Sequence, residues 1–283
     1  MSEKGLILHR AFDKEFNFES YGVRVRIESD SQELLDEARR TVIAGLFDRA
    51  EFIERGNTAC DHVFGMSFDG EHYLLYKNGE QISYGMSYKL FFKSLNSRLR
   101  IEVAEYAESK VFLHAGVVGW NGRAILLPAK SFQGKSTLTL ELVKIGAEYY
   151  SDEYAVLDER GYVHAFPRKV SMRYFGATRE KEVSVEEIGG VYGIKPLPVG
   201  LVLLTGFQKG AVWDPQVLSP GNGIIEIIQH TIPIRRNSEF VLKVLDLVAR
   251  RAIIVKSPRG DVKKFAKFLL KFFDNHNNLV KMT

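Results

Sequence analysis

Ala129-Lys130-Ser131-Phe132-Gln133-Gly134-Lys135-Ser136 decides how the rest of the chain is read. It follows the pattern G-x-x-x-x-G-K-[ST], with alanine in the first place, and is read as a phosphate-binding loop. Its flanks have the required order. Arg123 to Pro128 is a short apolar run, the signal of a buried strand. Downstream, Leu138, Leu142 and Ile145 recur at helical spacing, and Gly146 stands where a helix would end. Strand, loop and helix therefore follow one another. With one glycine inside the loop, Lys130, Ser131, Phe132 and Gln133 must supply the turn. In this reading Ala129 through Ser136, with Thr137 next to it, cradle nucleotide phosphates with backbone N–H groups. Lys135 reaches the β- and γ-phosphates, and the Ser136 hydroxyl takes part in holding Mg²⁺.

Two neighbouring stretches add side chains to this loop. After Gly146, a β-prone run leads to Asp152-Glu153, and Tyr154 to Leu157 follow as a second apolar run. A carboxylate at a strand end beside a phosphate loop is the usual second holder of Mg²⁺, so Asp152 and Glu153 are candidate metal and catalytic residues. Upstream, Lys110 to Trp120 reads as a strand, and Asn121-Gly122 is a hairpin signal. The hairpin would carry His114 alongside the strand that feeds the loop.

These residues carry a resemblance. His114-Ala115-Gly116-Val117-Val118, the loop ending in Gly134-Lys135-Ser136, the helix over Leu138 to Ile145, and Ser151-Asp152-Glu153 resemble the catalytic domain of HPr kinase/phosphorylase. The resemblance runs from about Lys110 to Met172, and is closest to HPr-kinase-like proteins with Ser-Asp-Glu in the acidic place. It implies an α/β fold, with a mixed sheet built around the loop. It also implies an ATP- and Mg²⁺-dependent phosphotransferase acting on a hydroxyl, the expected acceptor being Ser of a protein or peptide. His114, Asp152 and Glu153 would then stand at the γ-phosphate. Asp152 is favoured as the base and Glu153 as the metal side. The family's glycine-containing signature segment is not found in Val170 to Gly193. A nucleotide-binding regulatory module without turnover and a small-molecule kinase are the rival readings.

The remainder sets the frame. At 283 residues and 45% hydrophobic composition, the chain can bury a sizeable core. Thirty-nine Lys and Arg against 35 Asp and Glu give a net charge of +4, too weak to imply nucleic acid or membrane as partner. A single cysteine, Cys60, cannot form an internal disulfide and fits a reducing compartment. The longest apolar run, Val199 to Leu204, is far below the ~20 residues of a membrane span. A cytoplasmic protein is expected, with homo-oligomerisation left open.

Residues 1–109 are expected to form a smaller α+β module that could dock a substrate, and residues 110–283 the nucleotide-binding domain. In the first, Tyr21 to Glu28 reads as a strand, Ser31 as the N-cap of a helix, Val63 to Phe68 and Tyr73 to Tyr76 as strands with a third near Ile82, and Tyr88 to Glu108 as a long helix. In the second, strands are expected near Tyr162, Val170, Val199 to Phe207 and Ile253 to Val255, with helices around Ile224, Phe240 to Val248 and Val262 to Phe272. Thr178 to Ile188 reads as a surface excursion. Arg168, Lys169, Arg173 and the pair Arg235-Arg236 are cations that could approach a phosphate, though solvation is the simpler reading of each.

Overall fold

A computed structural model of the chain describes residues 12–47, 49–53, 59–130, 133–173 and 180–280, with backbone alone at 172, 173, 180, 181 and 277–280. The described fold is mixed α/β, and it divides into two compact units, Met1–Glu108 and Ser109–Thr283.

The first unit is a six-stranded sheet with two helices. The strands are β1 (Lys14–Ser20), β2 (Val23–Ser29), β3 (Glu51–Ile53), β4 (His62–Phe68), β5 (Tyr73–Lys77) and β6 (Glu80–Met86), in spatial order β3-β1-β2-β4-β5-β6. Period-two alternation along β2 buries Val23, Val25 and Ile27 and turns the arginines between them outward. Here the sequence expectation needs correcting. Tyr21-Gly22 is not strand but the hairpin turn between β1 and β2, with Tyr21 at φ 52° and Gly22 at φ 84°. Helix α1 (Gln32–Leu46) begins where expected, because the Ser31 side chain accepts the Leu34 N–H at 3.4 Å. It crosses from β2 towards the parallel strand β4. Helix α2 (Tyr88–Tyr106) presents Phe91, Leu95, Leu99 and Val103 to the same core as Phe18, Ile27 and Phe64.

The second unit is built on an eight-stranded sheet. Its strands are β7 (Val111–Trp120), β8 (Arg123–Pro128), β9 (Glu148–Ser151), β10 (Tyr154–Leu157), β11 (Tyr162–His164), β14 (Leu197–Leu204), β15 (Gln216–Val217) and β16 (Ile253–Lys256). The path runs β11-β10-β7-β8-β14-β16-β15; β9 also pairs with β7, and β11 with β14. A separate ribbon joins β12 (Val170–Arg173) and β13 (Glu180–Val183). That ribbon places a strand inside the stretch expected to be a surface excursion.

Strands β8, β14 and β16 are parallel neighbours, so their C-terminal ends fall on one edge. Both sheet faces are covered, which is why these strands are apolar throughout. On one face, Ile125 and Leu127 of β8 and Leu201 and Leu203 of β14 meet α3 (Lys135–Lys144) and α6 (Val262–Val280) through Leu138, Leu142, Phe265, Leu269 and Phe273. On the other, Ala124, Leu126, Val202 and Leu204 meet α4 (Pro220–Ile228) and α5 (Ser238–Arg251) through Ile227, Val241, Val244 and Leu245. Each fully buried Leu, Val or Phe contributes about 1.5–3 kcal/mol, so each unit carries its own core. No helix among the described residues is long and apolar enough to cross a membrane.

Candidate functional site

The edge formed by the ends of β8, β14 and β16 is where an open α/β sheet offers its crevice. Strand β8 ends at Pro128 and runs into Ala129 and Lys130; Ser131 and Phe132 lie outside the described residues. The chain resumes at Gln133-Gly134 and enters α3 at Lys135. Gly134 is the N-cap of α3 in the left-handed region, at φ 79° and ψ 22°, which favours glycine. The first N–H groups of a helix have no intrahelical acceptor, so this end presents donors and a partial positive charge.

Several side chains converge there. The Lys135 ammonium donates to the backbone carbonyl of Asp152. The Ser136 and Thr139 hydroxyls lie beside the Asp152 carboxylate and favour its charged form, and Thr139 donates to the Lys135 carbonyl at 3.1 Å. Asp152 is half-buried as a residue, yet its Oδ1 is sealed from solvent and has no hydrogen-bond partner among the described residues. Burial raises the Asp152 carboxyl above its ordinary range; the Lys135 ammonium and the Ser136 hydroxyl oppose the rise, and the Glu153 charge adds to it. Burial likewise lowers Lys135, against the pull of Asp152 and Glu153. A sealed carboxylate oxygen beside a hydroxyl and a helix N-terminus is a donor set that fits Mg²⁺ with phosphate and water completing its shell. Among the described residues no three His, Cys, Asp or Glu side chains cluster as a metal site on their own.

Glu153 turns to a different partner. It forms an ion pair with Arg168, whose carbonyl accepts the Tyr149 hydroxyl at 2.7 Å. Of the cations weighed in the sequence, Arg168 thus reaches the acidic pair, Lys169 is exposed, and Arg235 and Arg236 are exposed. The side chain of Arg173 lies outside the described residues. His114 sits on β7 opposite Tyr154 in the β7–β10 register, with their ring centroids 6.2 Å apart, and its N–H donates to the His230 carbonyl at 2.8 Å. The next backbone bond, from Ala115 N–H to the Glu153 carbonyl at 3.1 Å, ties β7 to the acidic pair.

Close packing between β7 and α3 depends on Gly116. A Cβ there would lie 2.5 Å from Thr139 Oγ1 and 3.2 Å from Lys135 Cγ. The glycine after His114-Ala115 thus lets the first turn of α3 lie against the strand.

Three residues near the site were not singled out in the sequence. His230 has its imidazole pKa lowered by burial and by the Lys130 and Lys135 charges, with Glu226 opposing. Arg259, just past the end of β16, donates through Nη2 to the Gly134 carbonyl at 2.7 Å. Phe207, just past β14, donates its N–H to the Gln133 carbonyl at 3.3 Å. For Arg259 and Phe207 the available signal was topological: each follows a strand of the parallel set that includes β8.

No family model matches this chain, and no curated protein matches it. Among solved structures, the HPr(Ser) kinase/phosphatase from Coxiella burnetii aligns over 60% of this chain and 98% of its own, at 13% identity and a TM-score of 0.35. A superposition that loose carries no argument about chemistry, so the functional reading rests on the residues.

Proposed function

We propose that this protein is a kinase that binds Mg-ATP on the segment Ala129–Thr137 and transfers the γ-phosphoryl to a hydroxyl. The observation that supports it most is Asp152: a carboxylate one helix beyond the Gly134-Lys135-Ser136 sequence, beside the Ser136 hydroxyl, with one oxygen sealed and unpartnered among the described residues. Lys135 and the N–H groups at the start of α3 take the phosphate chain. Ser136 and Asp152 hold Mg²⁺, which when bound neutralises charge on the phosphoryl group in flight.

This assignment reverses the order favoured from sequence, where Asp152 was the base. The Ser136 contact argues for Asp152 on the metal side and leaves Glu153 to accept the acceptor's proton. Arg168 holds the Glu153 carboxylate in one orientation through their ion pair. In the transfer, the acceptor oxygen forms its bond to the γ-phosphorus, the bond from that phosphorus to the β-γ bridging oxygen breaks, ADP leaves, and the hydroxyl proton goes to Glu153. His114 flanks the same end of β7. Such chemistry is mainly positioning and charge stabilisation, so a few groups suffice. The acceptor is a protein, a peptide or a small hydroxyl compound.

The test pairs affinity with transfer. Labelled ATP is offered to lysate fractions and to small hydroxyl compounds, and Mg-ATP affinity is measured for wild type, Asp152→Asn and Glu153→Gln. The expected result is transfer by wild type, lost Mg-ATP affinity in Asp152→Asn, and retained affinity with ~10²- to 10⁴-fold slower transfer in Glu153→Gln. Tight Mg-ATP binding with no transfer to any acceptor would instead make the protein a nucleotide-binding regulatory module.

A further inference from the structure

Arg259 is a charged side chain in a place that normally excludes charge. The residue is 2% exposed. One arm, Nη2, meets the Gly134 carbonyl, while Nε is buried with no hydrogen-bond partner among the described residues. The Phe207 ring lies with its centroid 5.9 Å from the guanidinium carbon. No carboxylate among the described residues pairs with the guanidinium, and burial alone pulls its pKa down. A buried, uncompensated cation is costly, and proteins keep one where a counter-charge arrives.

The Gly134 carbonyl, which also accepts the Leu138 N–H at 3.1 Å, carries no net charge and so does not balance the cation. Gly134 is also fitted to the arginine, since a Cβ on it would lie 2.1 Å from Nη2.

We infer that Arg259 is a phosphate-contacting residue, its guanidinium supplying a charged donor to a polyphosphate seated at the start of α3. The inference rests on the phosphate-site reading above, and extends it to a residue 125 positions away from Gly134 in sequence. Arginine suits the role because its planar fork can donate to a phosphate oxygen while one arm stays on the backbone.

The experiment uses the full chain, inorganic tripolyphosphate and Mg-ATP as probes, and the variants Arg259→Met and Arg259→Lys. For each, the melting temperature of the empty protein and the affinity for both probes are measured. If Arg259 awaits an anion, Arg259→Met leaves the melting temperature of the empty protein unchanged or raises it, and weakens both probes about 10- to 100-fold. Arg259→Lys weakens them less, because it keeps the charge without the fork. If Arg259→Met lowers the melting temperature while the probes bind as to wild type, the residue is a backbone clamp and the inference falls. Should Arg259→Met not fold, Arg259→Lys decides: unchanged affinity for both probes overturns the inference, and a loss supports it. If wild type binds neither probe, the phosphate-site reading itself is overturned, and this inference with it.

Discussion

Replacing Gly116 by alanine adds one methyl at the contact between β7 and α3. The new Cβ would lie 2.5 Å from Thr139 Oγ1 and 3.2 Å from Lys135 Cγ, and Thr139, the nearer of the two, is fully buried and cannot move into solvent. Gly116 is not among the positive-φ glycines, so backbone strain is not at issue. Overpacking of this kind costs about 1–3 kcal/mol. Loss of glycine's freedom in the unfolded chain returns about 0.4–1 kcal/mol. A net loss of ~1–2 kcal/mol is expected, which for a unit of this size lowers the melting temperature by ~2–8 °C. The assay is thermal unfolding of Gly116→Ala, Thr139→Ala and the double variant. Thr139→Ala alone loses its hydroxyl's bond to the Lys135 carbonyl, about 0.5–1.5 kcal/mol. In the double variant the methyl fills the space the hydroxyl leaves, so the two losses should fall short of their sum by ~1 kcal/mol or more. Additive losses, or a Gly116→Ala variant as stable as wild type, would refute the packing argument.

Three further outcomes are expected. His230 has a lowered pKa, so between its ordinary value of 6.5 and the lower folded value the unfolded chain takes up a proton that the folded chain refuses; stability should fall as pH drops through that window, and His230→Gln should flatten the slope in unfolding measurements at a series of pH values. Asp152 has a raised pKa, so its folded form keeps a proton the unfolded form has released, and the carboxylate's cost to stability sets in as pH rises above its ordinary 3.8; Mg²⁺ needs the ionised form, so acidification should weaken Mg-ATP binding at higher pH than an ordinary aspartate would, and isothermal calorimetry across pH reads this directly. A chain beginning at Glu105 should fold alone and give a cooperative melt, since the cores of the second unit draw on residues beyond Ser109; an aggregated fragment would contradict it.

Strand β8, the Asn121-Gly122 hairpin and helix α3 were readable because local chemistry dictates each: an apolar run, two residues able to take positive φ, and leucines on one helical face. Strand β1 was missed because Tyr21 does not advertise a turn, although it adopts φ 52° beside Gly22. Strand β13 reads Glu-Lys-Glu-Val, and a charged two-stranded ribbon carries no apolar signal. Strand β15 is two exposed residues on a sheet edge. That Lys135 and Asp152 would meet was readable, because the order of strand, loop, helix and strand carries one to the other. Arg259 was not, because its relation to Gly134 exists only once β16 lies parallel to β14, and β14 to β8. Which of Asp152 and Glu153 pairs with Arg168 could not be read from sequence, since adjacency says nothing about where each carboxylate turns.

The central claim, that the start of α3 binds the phosphates of a nucleotide, is tested most directly by titrating Mg-ATP into wild type and Lys135→Ala by calorimetry, with circular dichroism to show that both are folded. Removing one charged donor to a phosphate should weaken binding about 10- to 100-fold, with an unchanged spectrum. No heat of binding in the folded wild type, or equal affinity in the two proteins, would contradict it.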